Sequence, residues 1–121
     1  MTVTCFGELL LRLTPPGARR MVQTDSLDLV VGGAEANVAA GLASLGHAVR
    51  FAGLVSDNPL GDRTVAALRG AGVDTRFLAR GAGRMGLYFM EAGAGLRPSA
   101  ITYDRAGSAF AESDPVSIDL A

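Results

Sequence analysis

Short apolar runs along this chain are separated by breaks rich in glycine or proline, and the spacing within each run tells which element it forms. "TVTCF", followed by Gly7-Glu8 and then "LLLRL", reads as a buried strand passing into a second extended piece that Pro15-Pro16-Gly17 ends. In "SLDLVV", Leu27, Leu29 and Val31 alternate as a half-buried strand requires. After Gly32-Gly33 the spacing becomes helical. Val38, Leu42 and Leu45 fall on one stripe, alanines allow close packing, and Gly46 ends the helix. "AVRFAGLV" has the β-branched and aromatic content of a strand. Asn58-Pro59 then supplies a cap and a first-turn proline for a helix to about Arg69, closed by Gly70 and Gly72.

Strand, helix, strand, helix in this order predicts a parallel sheet with right-handed crossovers. In the second half, "RFLAR", "GLYFMEA" and "SAITYDRA" are extended pieces divided by Gly-rich or Pro-containing turns, which predicts antiparallel hairpin strands. The expected fold is α/β, a parallel core bearing a small antiparallel sheet. At "DPVSIDLA" a further helix is expected to begin.

Composition narrows the function. A chain of 121 residues with 49% hydrophobic content is long enough to bury a core. Eleven basic and twelve acidic residues give a net charge of −1 with no long run of either sign, so neither nucleic acid nor an anionic membrane is the expected partner. A single cysteine, Cys5, cannot form an intrachain disulfide and points to a reducing compartment. No apolar run reaches transmembrane length and no signal-peptide pattern opens the chain, so a cytoplasmic location is expected.

The chemistry concentrates in two stretches. In "VVGGAEANVAAGLASLG", two glycines meet the start of a helix, where backbone N–H groups lack partners, and Asn37 follows one turn on. An anion is the usual guest at such a place, but Glu35 in the first turn repels phosphate. A neutral, hydroxyl-rich ligand suits Asn37, which both donates and accepts hydrogen bonds. A helix start with ordinary glycine punctuation is the alternative. In the second stretch, around "ITYDRA", Tyr103 and Arg105 stand two apart and share a strand face, with Tyr88 on a neighbouring piece able to join them. Aromatic rings stack on a sugar-like ring or chain, and the guanidinium takes a carboxylate or keto oxygen in a bidentate pair. A solvated strand face is the alternative. "GAGRMG" at 81–86 fits the dinucleotide fingerprint letter by letter, yet a strand follows it, so it reads as a flexible hairpin turn. His47 reads as a helix-end residue, Met85 and Met90 read as packing, and no Cys/His spacing suits a metal.

Taken together these stretches resemble the ribokinase-like, PfkB-type carbohydrate kinases, and most closely their 2-keto-3-deoxygluconate kinase branch. "CFGELLLRLTPPG" resembles the first strand, "VGGAEANVAAGLASLG" the N-terminal signature, "FAGLVSDNPLGDRTVAALRGAGVDT" the next strand, helix and turn, and "GLYFMEA…ITYDRAGSA" the lid strands. The resemblance implies an incomplete ribokinase-like (Rossmann-like) core at about 1–8, 34–80 and 106–121 with lid strands at about 9–33 and 84–105. It implies sugar contacts at Gly32, Gly33 and Asn37, and substrate-covering lid positions at Tyr88, Tyr103 and Arg105. It further implies a small sugar or sugar acid as substrate, ATP and Mg²⁺ in the intact enzyme, and pairing of two subunits through the lid.

There are departures. Glu35 stands where the general signature has a small residue, Ser56 where glycine is common, and neither Leu10 nor Arg12 is the aspartate of ribose-type kinases. The Gly-Ala-Gly-Asp motif that carries the catalytic base, and the acidic Asn-x-x-Glu motif, do not occur in these 121 residues, since "GAGR" at 81 and "GAGL" at 93 both lack the aspartate. The stretch by itself is therefore expected to be inactive, to contain no catalytic residue or metal ligand, and to bind neither ATP nor Mg²⁺. A non-catalytic sugar-binding or regulatory module, or a truncated gene product, is the alternative, with a dinucleotide-binding fragment as a third.

Overall fold

The computed structural model describes residues 1–114 and 117–118. The helix start expected in "DPVSIDLA" lies largely outside the described residues. Three parallel strands form the core sheet in the order β1 (Thr2–Phe6), β4 (Ala48–Ser56), β5 (Asp74–Gly81). Central β4 pairs with β1 from Thr2↔Ala48 to Phe6↔Ala52 and with β5 through Ser56↔Gly81. Two helices, α1 (Ala34–Ser44) and α2 (Pro59–Gly70), supply the crossovers. Val49, Phe51 and Val55 of β4 join Ala36 and Ala39 of α1 and Val65 and Leu68 of α2 in one buried core.

α2 starts as its sequence dictates. The Asn58 side-chain oxygen accepts from the backbone N–H groups of Leu60 (3.0 Å) and Gly61 (3.1 Å), two of the donors that a first turn leaves unpaired, and Pro59 follows. α1 departs from expectation. Its buried stripe is Ala36 and Ala39, while Val38 and Leu45 are 55% and 77% exposed and Leu42 is only partly buried. Methyl-sized side chains let the α1 backbone settle close to β1 and β4, so small size decided the inward face where bulk had been expected to.

The second sheet has the order β3-β2-β6-β7, with β2 spanning Leu10–Thr14, β3 Asp28–Gly32, β6 Gly86–Glu91 and β7 Ala100–Asp104. Its outer pairs are antiparallel, but the inner β2–β6 pair is parallel, from Leu10↔Gly86 to Leu13↔Phe89. "RFLAR" is not a hairpin strand. It belongs to β5, parallel to β4, and the "GAGRMG" turn passes from one sheet into the other instead of closing a hairpin. The reason is geometric. β4 stops at Ser56 and turns into α2, while its two flanking strands run on through Gly7–Leu9 and Ala82–Met85 into β2 and β6. Strands that were parallel across β4 then meet directly and remain parallel. Met85 makes that turn firm: it is buried, and its sulfur accepts from Ser56 N–H at 3.4 Å. Among the described residues no helix is long and apolar enough to cross a membrane.

One exposed pair fixes a pH response. At the start of β5, Arg76 donates through Nη2 to Asp74 Oδ2 at 2.7 Å and through its own backbone N–H to Oδ1, which holds the Asp74 carboxyl near 2, below its ordinary 3.8. Because the folded value is the lower one, the stabilisation is complete above the unfolded value and is lost as pH falls from about 4 toward 2. A carboxyl-carbon NMR titration is expected to give Asp74 a midpoint near 2. In Arg76→Ala the midpoint should return toward the ordinary carboxylate range.

Candidate functional site

In the four-stranded sheet, residues two apart share a face, and the registers align Val30, Arg12, Tyr88 and Tyr103 in one row across all four strands. The neighbouring row brings Gly32, Leu10 and Gly86 together. Between this face and the first turn of α1 lies a cleft of about 320 Å³. Gly33, Asn37, Tyr88, Tyr103 and Arg105 all line it, so two stretches singled out separately in the sequence converge on one space.

Gly32 stands behind the wall rather than in it: a Cβ there would lie 2.7 Å from the Tyr88 hydroxyl. Gly33 is required for two reasons. Its φ is +119°, which L side chains rarely adopt, and a Cβ would lie 2.8 Å from the Glu8 carbonyl oxygen. Gly33 is also the N-cap of α1 and offers no side chain to its first-turn N–H groups, which border the cleft beside exposed Asn37. The Tyr88 and Tyr103 rings are 5.8 Å apart at a 35° tilt and form an aromatic wall. His47 sits just past the end of α1, its N–H bonded to Leu42 O at 3.1 Å, as a helix-end residue would.

Glu8 was missed by sequence reasoning. It lines the cleft at the β1–β2 junction, yet is only 7% exposed. Its Oε1 accepts from Arg105 Nε at 3.1 Å and Nη2 at 2.8 Å, and its Oε2 accepts from the buried Ser108 hydroxyl at 2.5 Å. Gly86 makes room, since a Cβ there would stand 2.7 Å from Glu8 Oε2. A carboxylate lodged between two apolar runs was the available signal, because so buried a charge needs a cation. Its partners lie 97 and 100 residues away, beyond the reach of local patterning. Arg105 follows the last residue of β7, half-exposed, and Nε and Nη2 are already engaged by Glu8. Leu10, Met90 and Ile101 complete the apolar lining, so Met90 also faces the cleft. Among the described residues no group of three or more His, Cys, Asp or Glu side chains could hold a metal ion.

Comparison with known proteins gives this geometry a context. Residues 2–119 match the sequence profile of the pfkB family of carbohydrate kinases. A 2-dehydro-3-deoxygalactonokinase from Haloferax volcanii is 36% identical over 117 residues, covering 95% of this chain and 37% of the relative. The crystal structure of a 2-dehydro-3-deoxygluconokinase from Thermotoga maritima superposes with a TM-score of 0.94 at 50% identity, over 98% of this chain and 36% of that one. A fructokinase from Xylella fastidiosa, crystallised with bound ATP, superposes with a TM-score of 0.80 at 28% identity, over 98% of this chain and 34% of that one. The chain thus spans about a third of the length of these relatives.

Two neighbouring glycines should respond differently to substitution. Gly33→Ala meets backbone at a positive φ and should lose on the order of 1–3 kcal/mol in chemical denaturation. Gly32→Ala meets only the tip of Tyr88 and should melt closer to the parent while altering the tyrosine fluorescence. Arg105→Ala should cost on the order of 1–3 kcal/mol, because it strands the buried Glu8 carboxylate. Urea melts of the three variants check all of these.

Proposed function

We propose, from the premise that this chain belongs to the pfkB family of carbohydrate kinases, that its cleft forms the sugar side of an enzyme that phosphorylates a sugar acid such as 2-keto-3-deoxygluconate at the expense of ATP. The observation that carries this reading is the pairing, in one cleft, of a hydroxyl-binding end (Gly33 and Asn37) with an aromatic and cationic end (Tyr88, Tyr103 and Arg105). The two relatives named for deoxy sugar acids support the branch. A neutral sugar offers the guanidinium only uncharged acceptors, which bind it more weakly than a carboxylate. A sugar acid uses both ends.

In the proposed reaction a primary hydroxyl of the substrate attacks the γ-phosphorus of ATP. The new O–P bond forms as the β,γ-bridging O–P bond breaks, ADP leaves, and the hydroxyl proton passes to a base. The residues of this chain bind and orient. Uncapped N–H groups at the start of α1 and the Asn37 carboxamide take the hydroxyls, the Tyr88 and Tyr103 rings cover the carbon chain and exclude water, and Arg105 takes the carboxylate or keto oxygen. Glu8 is tied to three donors from Arg105 and Ser108, so neither it nor the tyrosines take the role of base. A cytoplasmic setting accords with the single buried thiol of Cys5.

A coupled-enzyme assay of the 121-residue chain and of a full-length relative, run against a panel of sugar acids and neutral sugars, tests this. The relative should favour the deoxy keto acid, and a preference for ribose or neutral ketohexoses would reject the branch. Calorimetric binding by the 121-residue chain without turnover assigns it the sugar-binding role alone. Arg105→Ala in the relative should lower kcat/KM for the acid sugar roughly 10- to 150-fold, the equivalent of about 1.5–3 kcal/mol for a charge-assisted hydrogen bond.

Two copies are further proposed to pair through the lid. β3 and β7 are the edges of the four-stranded sheet, and an open edge calls for a partner or cover. Light scattering at micromolar concentration should give a dimer mass; a monomer throughout would overturn the pairing.

A further inference from the structure

The Glu8–Arg105 pair has a geometry that suits two tasks at once. A guanidinium carries five N–H donors in a fixed planar fork. Glu8 Oε1 occupies Nε and one N–H of Nη2, which together form one side of the fork. Both N–H groups of Nη1 and the remaining one of Nη2 lie outside that pair, so the adjacent Nη1/Nη2 edge of the fork can receive a second carboxylate in a bidentate pair. Glu8 is itself held, through Oε2, by the buried Ser108 hydroxyl, and Ser108 is fixed in turn by Ala111 N–H at 3.2 Å. An arginine side chain that is half-exposed and free would lose much rotamer entropy on capturing a ligand. Here Glu8 has already removed that freedom.

We infer that Glu8 is a positioning residue which locks the Arg105 fork in place, so that the Nη1/Nη2 edge is presented to the carboxylate of an acid sugar. The inference rests on the acid-sugar reading of the cleft given above. Its sign is distinctive. Glu8 is an anion beside an anion-binding group, so on charge alone its neutralisation should tighten binding of an anionic sugar. If its work is to orient Arg105, neutralisation should weaken that binding, because the fork is no longer held.

The test uses the 121-residue chain and its Glu8→Gln variant, which keeps the shape of the side chain. Two readouts are taken: the exchange rate and shift of the Arg105 Nε–H signal by ¹H–¹⁵N NMR without ligand, and calorimetric titration with 2-keto-3-deoxygluconate. The parent chain should show a slowly exchanging Arg105 Nε–H, and Glu8→Gln should lose that protection and bind the acid sugar roughly tenfold more weakly. Ser108→Ala, which leaves the carboxylate but releases its Oε2, should move both readouts part of the way, and it decides the matter if Glu8→Gln fails to fold. Unchanged Nε–H exchange, or equal or tighter binding by a folded Glu8→Gln variant, overturns the inference. If neither the parent chain nor a full-length relative takes 2-keto-3-deoxygluconate, the acid-sugar reading fails, and the Nε–H exchange alone then decides whether Glu8 locks Arg105.

Discussion

Everything about the shape of this chain follows from one strand stopping before its neighbours. β4 ends at Ser56, where the Asn58 cap turns the backbone into α2, whereas the strands on either side continue into β2 and β6. The gap that β4 leaves brings those continuations into register at Leu10↔Gly86, and a second sheet grows outward from them. The cleft opens at this seam, beyond the carboxyl ends of parallel strands, which is where open α/β sheets generally hold ligands because the connections there diverge. The α1 N-terminus arrives at the same seam and brings uncapped N–H groups with it.

Close approach at the seam is made possible by missing Cβ atoms. Gly33 passes over the Glu8 carbonyl, Gly86 lies against the Glu8 carboxylate, and Gly32 sits under Tyr88. Side chains at those positions would push the lid sheet away from α1 and separate the α1 end of the cleft from its aromatic end. The glycines therefore set the distance between two chemistries.

The buried Glu8 carboxylate adds a polar tie to this arrangement. Desolvating a charge is costly unless it is paired and hydrogen-bonded, and Arg105 and Ser108 provide both. The tie joins the β1–β2 junction to the segment after β7, so the lid sheet is fastened to the core at its base while its outer edges stay exposed. In the same site a guanidinium that sequence reasoning reserved for a ligand already has a protein partner on one edge.

Local pattern in the sequence determined the elements themselves: strands by alternation, α2 by Asn58 and Pro59, and the junction at Gly32-Gly33 by the change to helical spacing. It also singled out Asn37, Tyr88, Tyr103 and Arg105 as candidates for ligand chemistry, and the fold brings all four to one cleft. Tertiary structure alone decided which apolar face of α1 turned inward, because packing distance to the sheet selects small residues and hydrophobic periodicity does not record that distance. Only it could make "RFLAR" a core strand and β2–β6 a parallel pair, because pairing partners depend on where β4 stops and not on the composition of the strand that pairs. And only it could match Glu8 with Arg105 and Ser108, since a buried charge announces its need for a partner without saying where along the chain that partner lies.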